Sequence, residues 1–362
     1  MSDDTPIRVA VVLAGGSGER FWPLSRQHRP KQLLKLADPA RSMLEQTLDR
    51  IRPLFPPERT FIVTGTHLAE PIRTACSGFP PENVLAEPAK RNTAGALIYA
   101  AAALLAKFGD RNLSMAVFTA DHRIGPDERF RQDVRLALET AEKEGGLVVI
   151  GIPPARPATG FGYIEVAATQ TGKAARVQAF REKPDQETAA RYAVSGRHFW
   201  NSGMFFWRLD EFCRELAAAN PGLEAVVRPL ADALGAKDSE QATSLFSALE
   251  NISIDFALME KARKVWMIPA GFGWDDLGTW ESLQRSMIPD QDGNVTAGDP
   301  VLIGTKNSVV VSDAPGMAVA VVGMDNVVVA VTADGVLVVP AGRSQDVAKA
   351  VAELKRRGAK QV

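Results

Sequence analysis

The sequence predicts an α/β fold, with a mostly parallel sheet covered by helices on both faces and a small β-rich module after it. Two observations predict this. Short apolar or β-branched runs alternate with helix-favouring stretches over the first two thirds of the chain, and such alternation places crossover helices over a parallel sheet. After Pro289 the texture changes to Gly and Asp punctuating Val-rich runs, the pattern of stacked short strands.

The elements follow in order. Val9-Ala10-Val11-Val12-Leu13-Ala14 reads as a buried strand that turns sharply at Gly15-Gly16-Ser17-Gly18. Met43 to Ile51 has helical spacing, and Thr60 to Thr64 is a β-branched run. Asn92 to Phe108 is alanine-rich and helix-favouring, Leu113 to Thr119 a strand, Asp127 to Glu144 an amphipathic helix and Leu147 to Ile152 a buried strand. Shorter strands fill Phe161 to Phe180, Phe205-Phe206-Trp207 is another, and helices dominate from Leu209 to Lys261. The Val-rich runs are 301–303, 309–311, 319–322, 327–329 and 336–339; their recurrence is irregular, and a helix from Ser344 to Arg357 closes the chain. The change of texture divides the chain into residues 1–290 and 291–362.

With 362 residues, 46% hydrophobic and 23% charged, the chain can bury a large core. A net charge of -1 gives no broad basic surface for nucleic acid. No apolar run reaches the roughly 18 residues of a membrane span, and the acidic start Met1-Ser2-Asp3-Asp4 is unlike a secretory signal. Two cysteines, Cys76 and Cys213, lack metal-ligand spacing and fit a reducing cytoplasm.

The chemistry starts at the first turn. Glycines after a buried strand let backbone N–H groups approach an anion, and Arg20 and Lys31 add charge suited to a polyphosphate. The segment lacks the Gly-Lys-Ser/Thr of a P-loop, and its spacing departs from the G-x-G-x-x-G of a dinucleotide fold. Asp121 ends the strand Leu113 to Thr119, at the carboxyl edge where ligands gather in parallel sheets. A second acidic segment is Trp274-Asp275-Asp276-Leu277-Gly278-Thr279-Trp280. Further polar segments are Glu87-Pro88-Ala89-Lys90-Arg91-Asn92-Thr93, where Asn92 suits an N-cap, then Thr159 to Glu165, Phe180-Arg181-Glu182-Lys183-Pro184 and Trp200-Asn201-Ser202-Gly203-Met204.

The string from Gly15 through Phe21-Trp22-Pro23-Leu24-Ser25-Arg26 to Pro30-Lys31-Gln32 resembles the signature of the sugar-nucleotide pyrophosphorylases, in particular the mannose-1-phosphate guanylyltransferase branch. Trp200 to Met204, Ser253 to Lys261 and Trp274 to Trp280 also resemble that branch, so the likeness covers essentially the whole chain. It implies a Rossmann-like (GT-A-like) nucleotidyltransferase with a mixed sheet, and a C-terminal partial left-handed β-helix that packs on it and is compatible with a homodimer. The implied reaction joins α-D-mannose 1-phosphate and GTP to give GDP-mannose and pyrophosphate, with Mg²⁺ held by Asp121 and Asp276. Arg20, Lys31 and Lys183 are the implied catalytic cations. The nucleotide falls to Leu13, Ala14, Gly15, Gly16, Ser17, Gly18, Glu87, Asn92 and Thr93, and the sugar to Gly162, Tyr163, Glu182, Asn201 and Gly203.

Guanine presents two adjacent donors, which an ionised Glu87 carboxylate can accept. Thr119 stands where the family usually has Pro, a departure that leaves Asp121 in place. No general base is needed, because a phosphate monoester ionises a second time near pKa ~6; the four histidines show no nucleophile-base arrangement. Two other readings stay open at this point: another sugar-1-phosphate nucleotidyltransferase, and a non-catalytic GDP-mannose-binding homologue.

Overall fold

The structure is a computed structural model that describes residues 5–16, 18–36 and 38–362. They fall into two compact units, each discontinuous in sequence. The first comprises the chain up to Leu13, Arg50–Thr119 and Gly125–Gly273; the second comprises Ala14–Asp49, Ala120–Ile124 and Trp274–Val362.

In chain order the strands before residue 276 are β1 (Ile7–Leu13), β2 (Thr60–Gly65), β3 (Val84–Glu87), β4 (Leu113–Thr119), β5 (Arg123–Gly125), β6 (Leu147–Ile152), β7 (Tyr163–Val166), β8 (Ala175–Arg181), β9 (His198–Arg208), β10 (Val265–Pro269) and β11 (Gly273–Asp275). Nine of them form the sheet of the first unit, in the order β3-β2-β1-β4-β9-β6-β10-β8-β7. β1, β2, β3 and β4 run parallel, whereas β9 lies antiparallel to both β4 and β6. β8 likewise runs antiparallel to β10 and β7, so the sheet is mixed, as the resemblance implies, and the expectation of a mostly parallel sheet is corrected, because apolar periodicity reports burial and is blind to strand direction. Phe205-Phe206-Trp207 belongs to the 11-residue strand β9.

Both faces of the sheet are covered, which explains why Val9 to Val12 is continuously apolar; each of the four is 0% exposed. The helix Asn92–Phe108 buries Ala94, Leu97, Ile98, Ala101 and Leu104 in the same core. Its small side chains allow close approach to the strands. Two strands of this sheet escape the sequence reading, Val84–Glu87 and Val265–Pro269. At four and five residues they are defined by their partners β2 and β6 rather than by a pattern of their own. Pairing of Leu13 with Thr119 and Val63, and of Gly65 with Glu87, aligns the carboxyl ends of β1 to β4 at one edge. The loops that follow all leave from that edge.

The second unit contains β12 (Val295–Ala297), β13 (Val301–Ile303), β14 (Val309–Asp313), β15 (Ala320–Val322), β16 (Val327–Thr332) and β17 (Gly335–Pro340). β12, β14 and β16 stack in parallel, β17 adds antiparallel, and β13 pairs in parallel with β15 in a separate sheet. Successive parallel neighbours reached by short excursions are the construction of a β-helix. Phe21, Trp22, Leu24 and Met43 share one apolar core with Trp280, Leu283, Val295, Val309, Val328, Val347 and Val351. Packing therefore groups residues 14–49 with the C-terminal strands, although a chain-order division at 290 separates them. The closing helix is Val347–Arg356, and the residues before it, Ala341–Asp346, form a 3-10 segment that overlaps the start expected at Ser344. Among the described residues, no helix is long and apolar enough to cross a membrane.

Candidate active site

In the second unit a cavity of about 400 Å³ is lined by Arg20, Lys31, Asp121, His122, Asp276 and Gly278 among others. The local backbone explains the glycines around it. Gly18 has φ +61 and a Cβ there would collide with the Cβ of Lys31, so only glycine lets these two segments touch. Gly15 and Gly16 have no atom within 4 Å of a Cβ position, and Gly16 has φ +93. Their backbone is left open to a ligand. Ser17 lies outside the described residues.

Lys31 is the hub of the cavity. Its side chain is 8% exposed, and Nζ donates to Asp121 Oδ2 at 2.7 Å and to the Asp276 carbonyl at 2.6 Å. Burial works to raise the Asp121 carboxyl, but the Lys31 ammonium, with His122, holds it below its ordinary value. Burial raises the Asp276 carboxyl, opposed by Lys31 and aided by Asp275 and Asp121. The two aspartates are far apart in sequence and meet because β5 pairs with β11. Trp274 Nε1 donates to His122 Nδ1 at 3.1 Å, which pins the residues beside each carboxylate.

Asp275 and Asp276 have different tasks. Asp275 accepts from the Leu277 N–H and pairs with Arg285, which makes it a turn residue. Asp276 lies against Gly278, where a Cβ would come within 2.6 Å of its Oδ2, and lines the cavity. The helix Trp280–Ser286 that follows is capped by Thr279 with Ser282. Ala348 of the closing helix also lines the cavity; as an alanine distant in sequence it carries no chemical signal.

Two hard carboxylates at one cavity suit Mg²⁺. Among the described residues no group of three or more His, Cys, Asp or Glu could hold a metal. Asp121 and Asp276 are two oxygen donors of this hard kind lining one cavity.

The sugar candidates lie in the first unit. Tyr163 is fully buried in β7 and its hydroxyl donates to the Ala158 carbonyl, so it shapes the loop from within. A Cβ on Gly162 would stand 2.6 Å from Glu182 Oε2, which makes that glycine the floor under a carboxylate. Glu182 is 9% exposed at its side chain and pairs at 2.9 Å with Lys183, which is 61% exposed and has φ +41. Asn201 donates its backbone N–H to the Gly162 carbonyl at 2.8 Å. Its side chain accepts from the Gly203 N–H at 3.0 Å and donates to Asp255 at 2.9 Å. Gly203 holds φ +71 inside a strand, where glycine is needed. Asp255 is absent from the sequence-predicted set, although it stands in the Ser253 to Lys261 string; nothing in that string marks its contact with Asn201.

The nucleobase candidates Leu13, Glu87, Asn92 and Thr93 also lie in the first unit, and Ala14 in the second. Glu87 ends β3, its carbonyl accepts from Thr66 Oγ1 at 2.7 Å, and burial pushes its carboxyl up to about 7. Tyr99 is raised by burial and then by the charge of Glu87. Asn92 corrects the expectation of an N-cap: the cap is Arg91, and Asn92 is the first helical residue, with φ +58 and its side chain bonded to the Thr93 N–H. Thr93 Oγ1 accepts from the Ile254 N–H at 2.8 Å. Leu13 is the last residue of β1, and Ala14 accepts from Gln32 Nε2 through its carbonyl.

Residues 9–291 match the nucleotidyl transferase family, and residues 298–354 match a MannoseP isomerase/GMP-like beta-helix domain. A mannose-1-phosphate guanylyltransferase of Klebsiella pneumoniae is 38% identical over 355 residues, which is 96% of this chain and 74% of the relative. The xanthan biosynthesis protein XanB of Xanthomonas campestris pv. campestris is 37% identical, covering 99% and 74%. The crystal structure of a mannose-1-phosphate geranyltransferase from Thermus thermophilus superposes with a TM-score of 0.85 at 35% identity, over 96% of this chain and 99% of that one.

Proposed function

The chain belongs to the nucleotidyl transferase family, on the side of the mannose-1-phosphate guanylyltransferases, and from that premise we propose that it transfers GMP from GTP to α-D-mannose 1-phosphate. GDP-mannose and pyrophosphate are the products. The observation that carries this reading is the cavity in which Asp121, Asp276, Lys31 and Arg20 converge.

A phosphate oxygen of the sugar phosphate forms a bond to the α-phosphorus of GTP as the α–β bridging bond breaks and pyrophosphate leaves. The attacking oxygen is already ionised at neutral pH, so the protein's task is to bring two anions together and stabilise the charge that grows on the leaving group. Arg20 and the open backbone of Gly15 and Gly16 bind the polyphosphate. Lys31, poised on Asp121, turns its ammonium to the departing pyrophosphate. Asp121 and Asp276 would hold Mg²⁺, which when bound supplies Lewis-acid neutralisation of phosphoryl charge. Glu182 takes sugar hydroxyls, with Gly162, Tyr163, Asn201 and Gly203 shaping that site. Leu13, Ala14, Asn92 and Thr93 frame the nucleoside.

In chain order we divide the protein at residue 290, next to the end of the first matched segment at 291 and ahead of the second at 298. Val301, Ile303 and Val322 are exposed on the β13–β15 sheet, an apolar face that supports a homodimer. The thiols of Cys76 and Cys213, neither of them in a disulfide, support a reducing compartment, the cytoplasm. The test of the reaction is to supply mannose 1-phosphate, Mg²⁺ and each nucleoside triphosphate in turn and to measure pyrophosphate and sugar nucleotide. Turnover with GTP alone is expected; equal turnover with another triphosphate or with glucose 1-phosphate moves the chain to a different specificity.

Lys183 is exposed and pairs with its neighbour Glu182, so it can turn to an incoming phosphate. Lys183→Ala should raise KM for mannose 1-phosphate by about ten- to a hundredfold, the loss of one charged hydrogen bond, with KM for GTP nearly unchanged. Steady-state kinetics with each substrate varied decides it.

Glu87 makes a pH prediction. Its carboxyl titrates at about 7; above that it accepts from guanine, and below it carries a proton that faces guanine's donors. The ratio of kcat/KM for GTP to that for ATP should therefore fall as pH drops through about 7, because ATP shares the phosphates and lacks those donors. Glu87→Gln should flatten this profile and lower kcat/KM for GTP by about ten- to a hundredfold. An unchanged ratio places guanine selection on other groups.

A further inference from the structure

Resting on this reading of the reaction, we infer that Asp255 is a specificity-determining residue, paired with Asn201 to take one sugar hydroxyl as donor and acceptor at once. Asp255 opens a five-residue π-helical turn, Asp255–Met259, whose Ala257, Leu258 and Met259 are buried. Such turns are rare and concentrate at functional sites. The turn is anchored outside itself, by the Ile254 N–H on Thr93 Oγ1 at 2.8 Å and by the Ala94 N–H on the Ile252 carbonyl at 3.3 Å. Its position is thus set by the first turn of the helix Asn92–Phe108.

The hydrogen bonds around Asn201 orient its amide without ambiguity. Oδ1 accepts from the Gly203 N–H, so Nδ2 is the atom facing Asp255 Oδ1. One of the two Nδ2–H donors is used there, and the other is left beside a carboxylate that has further acceptor capacity. A donor next to an acceptor is complementary to a hydroxyl. It is not complementary to a phosphate, which would meet the negative Asp255 with the negative Glu182 close by. That closeness is visible in the carboxyl of Asp255, which burial first and the charge of Glu182 second push up to about 6. Two neighbouring carboxylates held partly out of water form an acidic cradle for a neutral polyol, with the exposed Lys183 paired to one of them. The Gly162 carbonyl on the Asn201 N–H and the Glu260 carboxylate on the Glu182 N–H complete it.

The experiment uses the full chain, Asp255→Asn, and a set of mannose 1-phosphates each lacking one ring hydroxyl. In the unsubstituted protein one analogue should be a markedly poorer substrate than the parent, because a site built for a hydroxyl is left with unpaired groups when it is missing. Asp255→Asn should raise KM for mannose 1-phosphate by about ten- to a hundredfold, leave KM for GTP unchanged, and treat parent and that analogue alike. Calorimetry gives a readout apart from turnover: the preference for GDP-mannose over GDP should shrink in the variant while GDP affinity stays. If Asp255→Asn melts below the assay temperature, Asp255→Glu replaces it, keeping the charge with one added methylene, and is read by the same comparison. A folded variant that discriminates the analogues as well as the unsubstituted protein does overturns the inference, as does an equal rise in KM for both substrates. Failure of the unsubstituted protein to make GDP-mannose from GTP would instead remove the reading on which it rests.

Discussion

Asp276→Asn, and separately Asp121→Asn, should lower turnover by on the order of 10²- to 10³-fold, the size of several kcal/mol of lost charge stabilisation in the transition state. Both carboxylates line the same cavity, and the adjacent acid cannot substitute: Asp275 is committed to the Leu277 N–H and to Arg285. The two variants should differ in stability. Asp276 carries a carboxyl raised by burial, so a neutral amide there is tolerated by the fold. Asp121 is the ion-pair partner of the buried Lys31, and its loss leaves an ammonium without its counter-charge. Thermal melting should therefore fall more in Asp121→Asn than in Asp276→Asn. A Mg²⁺ titration of the steady-state rate is the decisive measurement, and normal Mg²⁺ dependence in both variants would remove these residues from the metal site.

Lys31→Met should lower kcat by on the order of 10²-fold while KM for mannose 1-phosphate changes little. Methionine keeps most of the apolar stem that packs under Phe21, whose ring lies 5.9 Å from Nζ, and removes only the charge. The ammonium bonds to Asp121 and to the Asp276 carbonyl. To meet pyrophosphate it must exchange at least one of these partners. Loss of Lys31 should also let the Asp121 carboxyl rise, since the lysine is what holds it down. The contrast with Lys183→Ala, which acts through KM for the sugar phosphate, separates a leaving-group cation from a substrate-binding one. Indistinguishable defects in the two variants would count against separate roles.

Much of this site is legible in the chain because its chemistry is local. The glycines after β1 read as backbone open to an anion, whereas what requires glycine at 18 in the structure is the Lys31 side chain. The apolar run before Gly15 predicts a strand buried on both faces, and Val9 to Val12 are fully buried. Asp121 and Asp276 stand in recognisable strings, and resemblance names them as partners. Their meeting depends on the pairing of β5 with β11, two three-residue strands too short to leave a periodic signal.

By itself the sequence determined the α/β class, the glycine turn after the first strand, the valine-rich C-terminal strands and the family. Each is written in consecutive residues, through apolar period, glycine placement or contiguous motif. Tertiary structure alone decided the antiparallel insertion of β9, the packing of residues 14–49 with the strands after 290, the division of labour between Asp275 and Asp276, and the pairing of Asp255 with Asn201. Those depend on strand direction and on contacts between distant segments. A side chain's type records what it can bond, and only the folded chain selects which partner it has.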